Sequence, residues 1–81
     1  MSRTALVVED DSMLAELLAD VLRQMKFEPS TLNEGKHAVD FARKNKPDLI
    51  LLDLMLPDRS GYDICQDLKL DRTTNMIARV G

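Results

Sequence analysis

Leu49-Ile50-Leu51-Leu52 is a run of four apolar residues without alternation, and it stops at a carboxylate, Asp53. A continuous apolar run of this length fits a strand buried on both faces, as in a parallel sheet covered by helices. An acid at the end of such a strand lies at the sheet's C-terminal edge, where open α/β sheets bind ligands. Pro57 and Ser60-Gly61 supply turn chemistry before the next helical pattern. Asp53 is therefore the first candidate for chemistry, against the simpler alternative of an Asp that caps the loop after a strand.

Ala5-Leu6-Val7-Val8 repeats the design, ending in Glu9-Asp10-Asp11. Hydrophobic packing does not require two buried strands that each deliver acids at the same end. If the strands are parallel neighbours, Glu9, Asp10 and Asp53 share a small volume in which their repulsion is costly. A divalent cation resolves that repulsion, and oxygen ligands with a few waters suit Mg²⁺. Attraction of acids to the N-terminus of the following helix accounts for Asp11 and Ser12 but gives no reason for Asp53.

From Ser12 the spacing is helical. Leu14, Leu17, Leu18, Val21, Leu22 and Met25 form one apolar stripe, expected to cover the sheet. Phe27 to Leu32 reads as a weaker strand that Pro29 confines to an edge. Asn33-Glu34-Gly35 is a turn, and Lys36 to Asn45 a short helix that packs through Ala38, Val39, Phe41 and Ala42 and carries His37 on a solvated face. Lys46-Pro47 stops that helix. A further helix uses Ile64, Cys65 and Leu68 and ends near Leu70. Asp71 to Asn75 is a polar loop, and Met76 to Gly81 starts like a strand in which Arg79 is awkward. This β-α-β-α-β-α order with an incipient fourth strand predicts one α/β domain over residues 1–81, a parallel sheet with helices on both faces.

Composition narrows the chemistry. The net charge is −3 without a basic cluster, which argues against nucleic-acid binding by this segment. No apolar stretch reaches the length of a membrane span, and the N-terminus lacks the layout of a signal peptide. With a single Cys, the expectation is a cytoplasmic chain without an internal disulfide. One His and one Cys do not make a usual zinc site. Cys65 reads as a small core residue, because no His is placed to activate it.

Val7-Val8-Glu9-Asp10-Asp11, followed 43 residues after Asp10 by Asp53-Leu-Met-Leu-Pro-x-x-Ser-Gly61, resembles the response-regulator receiver domain of two-component signalling. The likeness runs from about Thr4 to Ile77 and includes the Asn33-Glu34-Gly35 turn and Pro47-Asp48. It implies a flavodoxin-like fold, dependence on Mg²⁺, and acceptance of a phosphoryl group from the phosphohistidine of a partner histidine kinase or phosphotransfer protein. Carried over by position, Asp53 is the phosphoacceptor and also touches the metal. Asp10 is a direct ligand, Glu9 assists through water, and Met55 offers its backbone carbonyl. A carboxylate nucleophile is chemically suited to form an acyl phosphate, and phosphoryl transfer depends chiefly on positioning and charge neutralisation. The domain is expected to be a signalling acceptor rather than an enzyme acting on other molecules.

Receivers of this family run to ~120 residues, with a Ser or Thr ending the fourth strand and a Lys ending the fifth. This sequence stops before either position, and Lys46 and Lys69 do not match the family's Lys. A C-terminally incomplete receiver places its third strand near an open edge. Leu49 to Leu52 are therefore expected to drive self-association. The alternative function is a receiver-derived interaction or oligomerisation module with impaired phosphate chemistry. A haloacid-dehalogenase-type phosphatase expects an acid two residues after its nucleophile, where this chain has Met55. No glycine-rich turn follows the first strand to bind a dinucleotide.

Overall fold

The structure, a computed structural model, describes residues 2–81. Four strands alternate with three helices: β1 (Arg3–Val8), α1 (Ser12–Gln24), β2 (Phe27–Leu32), α2 (Ala38–Asn45), β3 (Leu49–Leu52), α3 (Gly61–Leu70) and β4 (Ala78–Val80). A short 3-10 turn, Gly35–His37, leads into α2. All pairings are parallel and the sheet order is β2-β1-β3-β4. This is the parallel sheet with helices on both faces that the alternation predicts, in the flavodoxin-like arrangement that the family resemblance implies.

The two uninterrupted runs are buried as their composition demands. Leu6, Val8, Ile50 and Leu52 face α2 and α3 in a core completed by Ala38, Ala42, Leu56, Ile64 and Leu68. Ala5 and Val7 face the opposite way, against Ala15 and Leu22 of α1, with Leu18, Phe27, Leu49 and Leu51 packed around them. Truncating a side chain such as the fully buried Ile64 to Ala is worth about 2–5 kcal/mol. Pro29 lies on the edge strand, opposite Ala5, where its missing N–H costs no ladder bond.

Local stops follow the residues. Asp11 caps α1, accepting the N–H groups of Met13 at 3.0 Å and Leu14 at 3.2 Å. Ser60 caps α3 through the Tyr62 N–H. Lys46, with φ 45°, ends α2 in the left-handed region just before Pro47.

Three expectations need correction. The stripe on α1 does not cover the sheet as a whole. Leu22 is buried and Leu18 half-buried, but Leu14, Leu17, Val21 and Met25 are exposed, Leu17 by 60%. The contact face is Ala15, Leu18, Ala19 and Leu22, whose two alanines let the helix lie close to β1 and β2. Among the described residues α1 is the only helix on that side, so the flank it turns away from the sheet has nothing to pack against. Second, β3 lies next to an edge but its backbone is not left open. β4 pairs with it, Leu49 opposite Ala78, Ile50 opposite Arg79 and Leu51 opposite Val80, and the outer edges belong to β2 and β4. Third, β4 spans Ala78–Val80 and accommodates Arg79, whose guanidinium donates to the carbonyls of Ile77 at 3.1 Å and Asn75 at 3.4 Å.

Candidate functional site

The register that buries the strands also assembles the acids. Val8 pairs with Leu52, so the next residues, Glu9 and Asp53, emerge side by side at the C-terminal edge. Both are held by ladder bonds one step beyond the strands. Glu9 N–H donates to the Leu32 carbonyl at 2.9 Å, and Asp53 N–H donates to the Val8 carbonyl at 3.0 Å. Glu9, Asp10 and Asp53 each present a carboxylate oxygen within 4.8 Å of the others. Glu9 is buried, Asp53 half-buried and Asp10 exposed.

Burial pushes the Glu9 carboxyl above its usual range. The Asp11 N–H, which donates to Glu9 Oε2 at 3.1 Å, opposes the rise, while Asp10 and Asp53 reinforce it. Three acids crowded at a half-buried edge form an oxygen-only donor set with no salt-bridge partner among the described residues, a condition that a hard divalent cation satisfies. The set fits Mg²⁺ or a similar ion by its chemistry. Lys46 and Lys69 lie outside the cluster, and His37 is exposed at the start of α2 with no side-chain capping bond.

The loop after β3 closes over this edge. Met55 N–H donates to Asp53 Oδ1 at 3.0 Å, Gly61 N–H donates to the Leu54 carbonyl at 3.0 Å, and Met55 and Ser60 form an antiparallel bridge. Gly61 is required by this closure. A Cβ there would collide with the Asp53 carbonyl oxygen and lie 2.5 Å from Leu54 Cα. Leu56 anchors the loop in the main core, and the Met55 side chain is 86% exposed. An open groove of about 780 Å³ beside Asp53 is lined by Met55, Pro57, Tyr62 and Gly81 among others.

Two features escaped sequence reasoning. Asp58 accepts the backbone N–H groups of Gly35 and Lys36, each at 2.9 Å, a contact between loops 22 and 23 residues apart that no local pattern announces. Thr74, in the loop read as polar, is fully buried and donates its hydroxyl to the Leu68 carbonyl at 2.8 Å.

A parallel sheet whose C-terminal edge gathers three acids beside a closed loop defines an α/β domain with a candidate cation site at the ligand-binding edge. The model of the response regulator receiver domain family matches residues 5–80. The DNA-binding response regulator MtrA of Mycobacterium tuberculosis is 45% identical over 71 residues, covering 88% of this chain and 31% of MtrA. A putative response regulator from Chloroflexus aurantiacus superposes with a TM-score of 0.91 at 32% identity, covering 98% of this chain and 65% of that one. The receiver domain of the sensor histidine kinase PA1611 from Pseudomonas aeruginosa PAO1, solved with a magnesium ion coordinated in its active site cleft, gives a TM-score of 0.89 at 23% identity, with the same two coverages. The chain belongs to the response regulator receiver family. It spans about a third of the length of the curated relatives it matches. No helix among the described residues is long and apolar enough to cross a membrane.

Proposed function

We propose that this domain, residues 1–81 taken as one receiver unit, accepts a phosphoryl group on Asp53 from the phosphohistidine of a histidine kinase or phosphotransfer protein. The observation that carries this reading is the convergence of Glu9, Asp10 and Asp53 within 4.8 Å at the ends of adjacent parallel strands. Asp10, Asp53 and the backbone carbonyl of Met55 are the residues to hold Mg²⁺, with Glu9 acting through water. The ion supplies positive charge for the phosphoryl oxygens. The choice of Mg²⁺ rests on the oxygen-only donor set, since the PA1611 receiver, at 23% identity, lends the fold alone.

An Asp53 oxygen attacks phosphorus, the new P–O bond forms as the P–N bond to the donor imidazole breaks, and the electron pair of that bond returns to the ring nitrogen. The Met55 N–H holds Asp53 Oδ1 at 3.0 Å, which orients the carboxylate and leaves its second oxygen for attack. The cytoplasm is the compartment that belongs to this proposal, in keeping with a chain that has a single Cys.

The test is intact-protein mass after incubation with acetyl phosphate and Mg²⁺, beside Asp53→Asn. One phosphoryl adduct on the wild type, absent from the variant and abolished by a chelator, is expected. A folded wild type that never gains the adduct overturns the assignment.

A second reading, an interaction module that associates with its own copies, draws support from the surface on the α1 side. A groove of about 260 Å³ there is lined by Val7, Leu18, Leu51 and Val80 among others, and Leu17 and Val21 are exposed nearby. The outer edge of β4 offers backbone groups for pairing with a second copy. Light scattering at increasing concentration tests it: growth of a dimer is expected, and a monomer at every concentration counts against it.

A further inference from the structure

Asp58 has no place in the donor set, yet it joins two loops that the sequence keeps far apart. Its Oδ1 accepts the Gly35 N–H and its Oδ2 accepts the Lys36 N–H, both at 2.9 Å. These two donors open the turn that leads into α2. The residue that would cap this turn locally, Glu34, makes no side-chain capping bond. The cap is supplied from the β3–α3 loop instead, and it satisfies two of the orphan N–H groups that a helix start leaves. Accepting the Gly35 N–H above all holds the Asp58 carboxyl below the usual carboxylate range. The side chain is thus a bidentate acceptor in its charged form.

The two loops are also in close contact. Gly35 is buried, and a Cβ there would lie 2.7 Å from Ile64 Cδ1, 3.0 Å from Leu56 Cδ1 and 3.4 Å from Arg59 Cβ. The β3–α3 loop is therefore fastened at its base and at its outer end, besides the Leu56 anchor and the pairing of Arg59 with Asp67. Its base is closed by the Gly61–Leu54 hydrogen bond and the Met55–Ser60 bridge. Its outer end is held to the α2 turn by Asp58. Met55 is a partner in the bridge at that base and lies three residues from Asp58. A backbone carbonyl has no rotamer of its own, so its direction is set only by the loop that bears it.

We propose that Asp58 is a positioning residue for the cation site, fixing the β3–α3 loop through the Gly35 and Lys36 N–H groups so that the Met55 carbonyl is held ready for the metal. This rests on the assignment of Met55 as a ligand above. Outer groups that orient ligands commonly govern metal affinity by 10–100-fold. Because this tether acts on one of several ligands, the loss expected is near the lower limit.

The experiment is calorimetric titration with Mg²⁺, with no phosphoryl donor, on wild type, Asp58→Ala, Asp58→Asn and Thr74→Val, each first shown to be folded by circular dichroism. Thr74→Val removes a buried hydrogen bond at the far end of α3 and serves as a destabilised control remote from the acids. Asp58→Ala is expected to weaken Mg²⁺ binding about tenfold while Thr74→Val stays within threefold of wild type. Asp58→Asn keeps one acceptor oxygen and is expected to fall between. It takes the place of the Ala variant, with the same threefold threshold, if that variant does not fold. Asp58 variants that bind within threefold of wild type, or a Thr74→Val loss as large as theirs, overturn the proposal. A folded wild type that binds no Mg²⁺ overturns the site assignment itself, and the role of Asp58 falls with it.

Discussion

Replacing Asp53 by Asn is expected to stabilise the metal-free domain. The substitution preserves the local hydrogen bond, because an amide oxygen can take the Oδ1 position that accepts the Met55 N–H at 3.0 Å. What it removes is one of three negative charges whose oxygens lie within 4.8 Å of one another. Two unit charges at that separation repel by about 0.9 kcal/mol at the dielectric of water and by about 3.5 kcal/mol at an effective value of 20. Asp10 is exposed and Asp53 half-buried, so the true figure lies toward the lower end, and physiological salt with its ~8 Å Debye length reduces it by roughly half. With two neighbours relieved, the gain is about 1–2 kcal/mol at low salt. At about 4–8 °C per kcal/mol for a chain of this size, the melting temperature rises by about 4–16 °C. Thermal melts followed by circular dichroism in chelator and low salt measure it. The difference should shrink in ~1 M salt, where charges are screened within ~3 Å. Adding Mg²⁺ should reverse the order, since a ligand at a hundred times its Kd stabilises the wild type by about 2.7 kcal/mol. An Asn variant that melts at or below the wild type without metal would refute the claim that these acids are held together against their repulsion.

Two further outcomes follow from the packing. Gly61→Ala places a Cβ against the backbone of Asp53 and Leu54, atoms that move only with the loop. It should cost about 1–3 kcal/mol by urea unfolding and slow adduct formation at Asp53, and an unchanged midpoint would show that the loop opens freely. Asp71 ends α3, where the Thr73 hydroxyl first, then Arg43 and the Thr73 N–H, pull its carboxyl down from 3.8 to about 2. A carboxyl lowered on folding contributes stability that is present above its unfolded value and is lost as pH falls through its folded one. The gap in urea midpoint between wild type and Asp71→Asn should therefore be full at pH 5 and close between about pH 4 and pH 2, and a gap constant over that range would rule this out.

The parts of the fold that were legible are those where one physical constraint dominates. Ala5–Val8 and Leu49–Leu52 have no polar residue to turn toward water, so only strands covered on both faces suit them. Pro29 can join a sheet only at an edge, and that sets β2 outermost. Parallel neighbours with those ends then bring Glu9, Asp10 and Asp53 together, and the structure shows this convergence. Legibility failed where several residues were chemically equivalent or where a bond spans the chain. On α1, Leu14, Leu17 and Val21 are as apolar as Leu18 and Leu22, and a stripe drawn by hydrophobicity cannot say which arc meets the sheet. The deciding residues were Ala15 and Ala19, whose small size permits close approach and which carry little weight in an apolar pattern. Arg79 looked unfit for a strand because its charge was weighed without the carbonyls of Asn75 and Ile77 that receive it. Asp58 was hidden most completely, since turn chemistry explains an Asp after Pro57 without reference to Gly35 and Lys36. Carboxylates gathered by strand register can be anticipated from where apolar runs end. A carboxylate that orders the surrounding loops is found only once both loops are in place.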